Sequence, residues 1–336
     1  MNKKNDSRLS LVHDWLVQVL RDEDFTLAPA SADASFRRYF RVSSHGQHYI
    51  VMDAPPEQED CRPFIAVSAL FSSLGLNVPQ LRAQDLERGL LLLDDLGERL
   101  YLNELTNETA DALYADAMQA LLSLQSASAE VVQTAALPDY DRSLLLSEMN
   151  LFRDWYLQRH LGLSLSAAEQ GYLDSVFAFL ADVALAQPQV IVHRDYHSRN
   201  LMLAEPNPGV LDFQDAVIGA LTYDLVSLLR DCYIVWPLER VHGWVEQYFN
   251  QAQAAGILPD SVNLNTFIRW FDLIGIQRHL KASGIFARLN YRDQKPAYLD
   301  DIPRTLDYIR RVGVNYPELN DLLQLLDRLD SRAAAG

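Results

Sequence analysis

The sequence predicts an α+β chain of two lobes, a small antiparallel-sheet lobe at the N-terminus and a larger helical lobe after it. Three observations carry that expectation. Residues 38–42 and 47–52 are short strand-like runs separated by the turn-forming SSHG of 43–46. Beyond Asp95, apolar residues recur at helical spacing over long stretches. Among those helices lies one polar, charge-dense segment, IVHRDYHSRN at residues 191–200, followed by LDFQD at 211–215.

Residues 9–20 read as an amphipathic helix, and the polar 31–35 (SADAS) as a turn before the two strands. A helical pattern returns over 57–74 and is ended by Gly75; strands at 80–85 and 90–94 complete the small sheet. Asp94, Asp95 and Gly97 interrupt the apolar run of 92–97, which is read as a hinge. The N-terminal lobe is therefore set at 1–95, with its leading helix, and the C-terminal lobe at 96–336. In the latter, helices are expected over 108–124, 144–160, 167–186, 221–232, 238–253, 264–289, 297–313 and 319–328. Short paired strands are expected at 201–203 and 209–212, across the turn-rich 205–208.

The chain has 336 residues, 49% of them hydrophobic, enough to bury a core in each lobe. Its formal net charge of -16 argues against nonspecific binding to nucleic acid or anionic membranes, whose phosphates attract basic surfaces. Cys61 and Cys232 form no metal-ligand or redox motif and read as reduced core thiols. No signal core and no run of roughly 20 apolar residues is present, so a cytoplasmic protein is expected, with no obligate protein partner.

The polar segment offers a specific set of side chains. Asp195 is placed to hold an acceptor hydroxyl, and Asn200 with Asp212 to hold magnesium beside a triphosphate, which is what phosphoryl transfer from ATP needs. His193 and His197 also invite a zinc reading, but no third and fourth ligands accompany them. Arg194 and Arg199 supply either phosphate charge or ordinary salt bridges. Asp224 reads as a buried acceptor that orders the loop. Neither a GxGxxG nor a GxxxxGK[ST] loop occurs; the small residues of 31–35 offer backbone donors in its place, or form a plain turn.

HRDYHSRNLM and LDFQDAVIGALTYDL resemble the aminoglycoside phosphotransferase and choline-kinase-like superfamily, related in fold to eukaryotic protein kinases. ADASFRRYFRV, YIVMDAPPE and LPDYDRSLLLSEMNLFRDWYL resemble, within it, the bacterial anomeric kinases of N-acetylmuramate and N-acetylglucosamine. The resemblance implies a two-lobed protein-kinase-like fold with ATP and Mg2+ as cofactors. It implies the two amino sugars as acceptors, phosphorylated to α-1-phosphates in peptidoglycan recycling. Asp195 then takes the catalytic role, and Asn200 and Asp212 the metal.

One departure matters. Where protein kinases place a phosphate-pairing lysine, YIVMD has Met52 and then Asp53. Arg37 or Arg38 is the candidate replacement, since a guanidinium suits bidentate oxygen contacts. Glu57, Glu59 or Asp60 is available to orient it, and the hinge carboxylate Asp94 joins the nucleotide-binding set. For the sugar, the candidates are Glu148, Arg153, Asp231 and Arg278, with an arginine suited to the lactyl carboxylate of N-acetylmuramate. Two other readings stand beside this one: a kinase of an aminoglycoside, choline or other small alcohol, and a non-catalytic nucleotide-binding interaction protein.

Overall fold

Helix α1 (Lys3–Leu20) buries Val12, Trp15 and Leu16, the helically spaced apolar positions, against Val42, Val51, Leu90 and Leu92 of a sheet. That sheet has five antiparallel strands in the order β1-β2-β3-β5-β4: β1 (Thr26–Ala32), β2 (Arg38–Ser44), β3 (Gln47–Asp53), β4 (Leu81–Asp85) and β5 (Leu90–Asp94). The β2–β3 turn follows from His45 and Gly46, both at positive φ (50° and 78°), the backbone a two-residue hairpin turn uses. Strand β1 was not foreseen. Its sequence, TLAPASA, lacks alternation and contains Pro29, which an edge strand with a register shift at Pro29/Ser31 accommodates. Helix α2 (Arg62–Ser73) starts later than expected because Pro63 sits in its first turn. Gly89 has φ of 69°, and an added Cβ would lie 1.9 Å from the Ala54 carbonyl oxygen, so only glycine closes this turn.

Helices α3 (Tyr101–Glu104), α4 (Ala110–Gln125), α5 (Ala129–Ala135) and α6 (Arg142–Leu151) follow. The helix expected over 144–160 changes character: beyond α6 the chain widens into a π-helix, Phe152–His160. That junction lies against Gly284, where an added Cβ would stand 2.2 Å from the Leu151 carbonyl carbon and 2.4 Å from the Phe152 nitrogen. Helix α7 (Ala167–Leu185) opens with a capping box of Ser166 and Glu169. Four short strands succeed it: β6 (Gln189–Val192), β7 (Leu201–Met202), β8 (Gly209–Val210) and β9 (Val217–Ala220). Strand β6 pairs antiparallel with β9, and β7 with β8. Helices α8 (Tyr223–Leu229), α9 (Leu238–Ala254), α10 (Leu264–Asp293), α11 (Ile302–Gly313) and α12 (Asn320–Ala333) complete the chain. The 30-residue α10 is packed by α6, the π-helix, α7, α8 and α11, and is buried on most of its surface.

This computed structural model describes residues 3–32 and 36–333. The chain forms two compact units, Met1–Arg99 with Met202–Asp215, and Leu100–Leu201 with Ala216–Gly336. The second segment of the first unit is tied in by Val210 N–H donating to Asn77 O (2.7 Å) and by Asn77 Nδ2 donating to Pro206 O (2.6 Å). The α+β class, with a small antiparallel sheet followed by a larger helical part, is as the sequence predicted. No described helix is long and apolar enough to cross a membrane, and both cysteines are free and buried.

Candidate active site

Strand β6 delivers the buried Ile191 and Val192, and the chain then enters the loop 193–200. Arg194 takes the left-handed conformation (φ 78°), which costs a non-glycine residue about 1–2 kcal/mol. Asp224 on α8 holds it there. Its Oδ2 accepts from His193 N–H at 2.6 Å and its Oδ1 from Arg194 N–H at 3.0 Å. Burial pushes the Asp224 carboxyl up to about 7, against these two donors. The loop order foreseen for Asp224 is therefore present.

The next turn is closed on itself. His197 N–H and Asn200 Nδ2 both donate to the Asp195 carbonyl (3.0 Å each), and Asn200 N–H donates to His197 O (2.8 Å). Asp231 braces the same turn: its Oδ2 accepts from Ser198 N–H at 2.9 Å and from Ser198 Oγ, and its Oδ1 from Tyr233 N–H at 3.0 Å. Asp195 is half-buried. Burial raises its pKa, but Lys281, then His197, His193 and Arg278, outweigh this and hold the carboxyl below its usual range. It is thus a carboxylate at neutral pH, able to accept a proton. Burial lowers the pKa of His197, whose ring meets Tyr233 edge-on at 5.4 Å.

Behind the loop lies a buried ionic cluster. Glu148 on α6 shares Oε1 between Arg194 and the Lys281 ammonium (3.0 Å), and its Oε2 accepts from Tyr140 Oη. Lys281 also donates to Tyr223 Oη at 3.1 Å. Burial works to raise the Glu148 pKa, but the two cations keep it lowered. Arg278, buried three residues before Lys281 on α10, donates to Cys232 Sγ at 3.4 Å. Arg153, on the π-helix, pairs with the exposed Asp154 (3.0 Å) and Asp174 (3.1 Å) and makes no bond to this cluster.

In the first unit, Asp212 is also left-handed (φ 60°) and accepts from Gln214 Nε2 at 2.8 Å. Arg37 pairs with Glu59 at 3.2 Å and feels the charge of Asp212; burial opposes the charged form, and Tyr39, Glu59 and Asp212 favour it, leaving its pKa raised. Of the three acids, Glu59 is the one that pairs with Arg37, while Asp60 pairs with Arg62. Arg38 instead joins Arg8 on the fully buried Asp53. Asp94 is paired with Arg82 (2.5 Å). Its position on β5 shares parity with Leu90 and Leu92, which face α1. Of the small-residue loop, Ser31 and Ala32 end β1, and residues 33–35 lie outside the described residues.

The structure therefore joins Asp195, Asn200, Glu148, Asp231 and Arg278 around one loop, and Arg37 with Asp212 in the other unit. Sequence reasoning missed Lys281, Tyr140 and Tyr223. The available signal for Lys281 was its spacing of three from Arg278, which puts both on one helix face.

A model of the phosphotransferase enzyme family matches residues 26–262 of the chain. The chain belongs to this family. It is 48% identical over 342 residues to the N-acetylmuramate/N-acetylglucosamine kinase of Pseudomonas putida, covering 99% of each chain. Over 310 residues it is 49% identical to the protein of that name from Pseudomonas aeruginosa, covering 92% of this chain and 90% of the relative. Among solved structures, a Plasmodium vivax ethanolamine kinase shares the fold with TM-score 0.60 at 12% identity, covering 84% of this chain and 81% of that one. Two oxygen side chains, one in each unit, have the chemistry a divalent cation takes. Asn200 turns its amide nitrogen to the Asp195 carbonyl, which fixes the oxygen end, and Asp212 adds a carboxylate; both are the hard donors magnesium prefers. No group of three or more His, Cys, Asp or Glu suited to a metal occurs among the described residues, so the zinc reading has no further ligands.

Proposed function

We propose that this phosphotransferase transfers the terminal phosphoryl group of ATP to the anomeric hydroxyl of N-acetylmuramate and N-acetylglucosamine. The products are ADP and the α-1-phosphates, and the setting is cytoplasmic recycling of peptidoglycan sugars. The acceptor class rests on relatives of that name matched along nearly the whole chain. The chemistry rests on one observation above all: a left-handed Arg194, held by Asp224, presents an ionised Asp195 beside Lys281.

The Asp195 carboxylate accepts the proton of the acceptor hydroxyl as the new O–P bond forms and the bond from phosphorus to the bridging oxygen of ADP breaks. The sugar's C1–O bond is not touched, so the anomer that binds is the anomer phosphorylated. Asn200 and Asp212 each offer an oxygen that would hold magnesium, and the ion would supply charge neutralisation on the phosphates. Arg37, oriented by Glu59, takes the phosphate-pairing role left open by Met52. Arg37 feels the charge of Asp212, whereas Arg38 and Asp94 pair with Asp53 and Arg82, which favours Arg37 for that role. Glu148 and Asp231 act on the loop through Arg194, Lys281, Ser198 and Tyr233, while Arg278 adds positive charge beside Asp195.

The test is release of ADP from MgATP by the purified protein with each amino sugar, an aminoglycoside and choline. The two amino sugars are expected to be the fastest acceptors, and Asp195→Asn is expected to lower kcat by about 10²–10⁴ with ATP still bound. Faster transfer to the aminoglycoside or to choline overturns the acceptor, and near-normal turnover by Asp195→Asn overturns the catalytic role.

A further inference from the structure

The two arginines of the loop end in opposite situations. Arg194 is enclosed and paired with Glu148. Arg199, four residues beyond Asp195 and next to Asn200, is exposed, and among the described residues no carboxylate pairs with it.

Arg199 is nevertheless held in place. Its guanidinium carbon lies 3.6 Å from the centroid of Tyr233 and 5.9 Å from that of Tyr298. Tyr298 in turn stacks on the buried Phe286 at 5.6 Å, and Tyr233 stands 6.3 Å from the same ring. Asp231 fixes the platform to the loop, because it accepts from both Ser198 N–H and Tyr233 N–H. A guanidinium lying on an aromatic face keeps its N–H donors at its edges, where they form a fork suited to a carboxylate. Holding the side chain on the platform also reduces the rotamer freedom that binding would otherwise remove.

We propose that Arg199 distinguishes the two acceptor sugars by binding the carboxylate that N-acetylmuramate carries on its lactyl ether and N-acetylglucosamine lacks. This rests on the acceptors proposed above. A carboxylate is preferred to a nucleotide phosphate because the rings that hold Arg199 belong to the second unit, together with Asp195. The arginine assigned to the nucleotide, Arg37, belongs to the first.

Steady-state kinetics with both sugars test it in the wild type, Arg199→Met, Arg199→Lys and Tyr298→Ala, with thermal melting to confirm folding. A bidentate charge-assisted contact corresponds to roughly 10- to 100-fold in affinity. The ratio of kcat/KM for N-acetylmuramate to that for N-acetylglucosamine is expected to fall by about that factor in Arg199→Met, through KM for N-acetylmuramate. Arg199→Lys, which keeps the charge and loses the fork, should fall less, as should Tyr298→Ala, which loosens the arginine. A ratio that stays within about threefold in Arg199→Met overturns the proposal, because a 10-fold contact is the least it requires. So does an equal loss on both sugars accompanied by a raised KM for ATP, which would assign Arg199 to the nucleotide phosphates. Failure of the acceptor assignment itself would appear separately, as a wild-type enzyme that phosphorylates neither sugar.

Discussion

Replacing Glu148 by Gln should destabilise the protein far more than a change of one atom suggests. The glutamate is buried, and its Oε1 alone serves both the Lys281 ammonium at 3.0 Å and the Arg194 guanidinium. Two unit charges at that distance attract by roughly 5 kcal/mol at an effective dielectric of about 20. Glutamine keeps the volume and one acceptor oxygen, but leaves the buried Lys281 and half-buried Arg194 facing each other with only the charge of Asp195 to offset them. Removing one partner of a buried pair costs about 3–5 kcal/mol, most of it from the charge left behind. At about 2–4 °C per kcal/mol for a body of this size, the melting temperature of Glu148→Gln should fall by roughly 6–20 °C in calorimetry. The origin of the loss can be isolated. Adding Lys281→Met removes one stranded cation, so the double variant should lose at least about 1 kcal/mol less than the sum of the single losses. A Glu148→Gln loss below about 1 kcal/mol, or additivity within about 0.5 kcal/mol, would refute the idea that this cluster is held by its charges.

Two further outcomes follow from the same geometry. Arg37→Met should raise KM for ATP by about 10- to 100-fold, the worth of a charge-assisted contact, and Glu59→Gln by less, measured at saturating sugar; an unchanged KM would return the phosphate role to another residue. Asp224, pushed up to about 7 by burial, binds its proton more tightly folded than unfolded. Its contribution is therefore full below the usual carboxylate range near pH 4 and is lost as pH rises through 7, at up to about 1.4 kcal/mol per pH unit. Denaturant titrations from pH 5 to 8 should show a fall in stability over that window that is flattened in Asp224→Asn; parallel curves would contradict the assignment.

The hairpin of residues 38–52 was legible because its turn residues carry their own conformational signal, and the helices were legible from apolar spacing. Strand β1 was not, since Pro29 marks a break unless one knows that the strand lies at an edge. The π-helix after Leu151 was read as ordinary helix because the close neighbour at the junction, Gly284, lies far away in sequence. At the site, Asp195, Asn200 and Asp212 stood out through their order along the chain. The left-handed backbone of Arg194 and Asp212 did not, because neither residue type announces it. Glu148 and Asp231 were recognised as important acids and assigned to sugar; the structure gives them protein donors, Arg194 and Lys281 for one, Ser198 and Tyr233 for the other. A sequence shows that an acid is unusual among its neighbours, but the group it faces is set by distant segments.

The proposed reaction is phosphoryl transfer to an anomeric oxygen. Phosphorus NMR of the product formed from MgATP and N-acetylglucosamine tests it most directly. One new phosphomonoester is expected, its phosphorus coupled to the anomeric proton, with the α configuration at C1, in step with ADP. A phosphorus coupled to protons at another carbon of the sugar, or ADP release with no sugar phosphate, would contradict it.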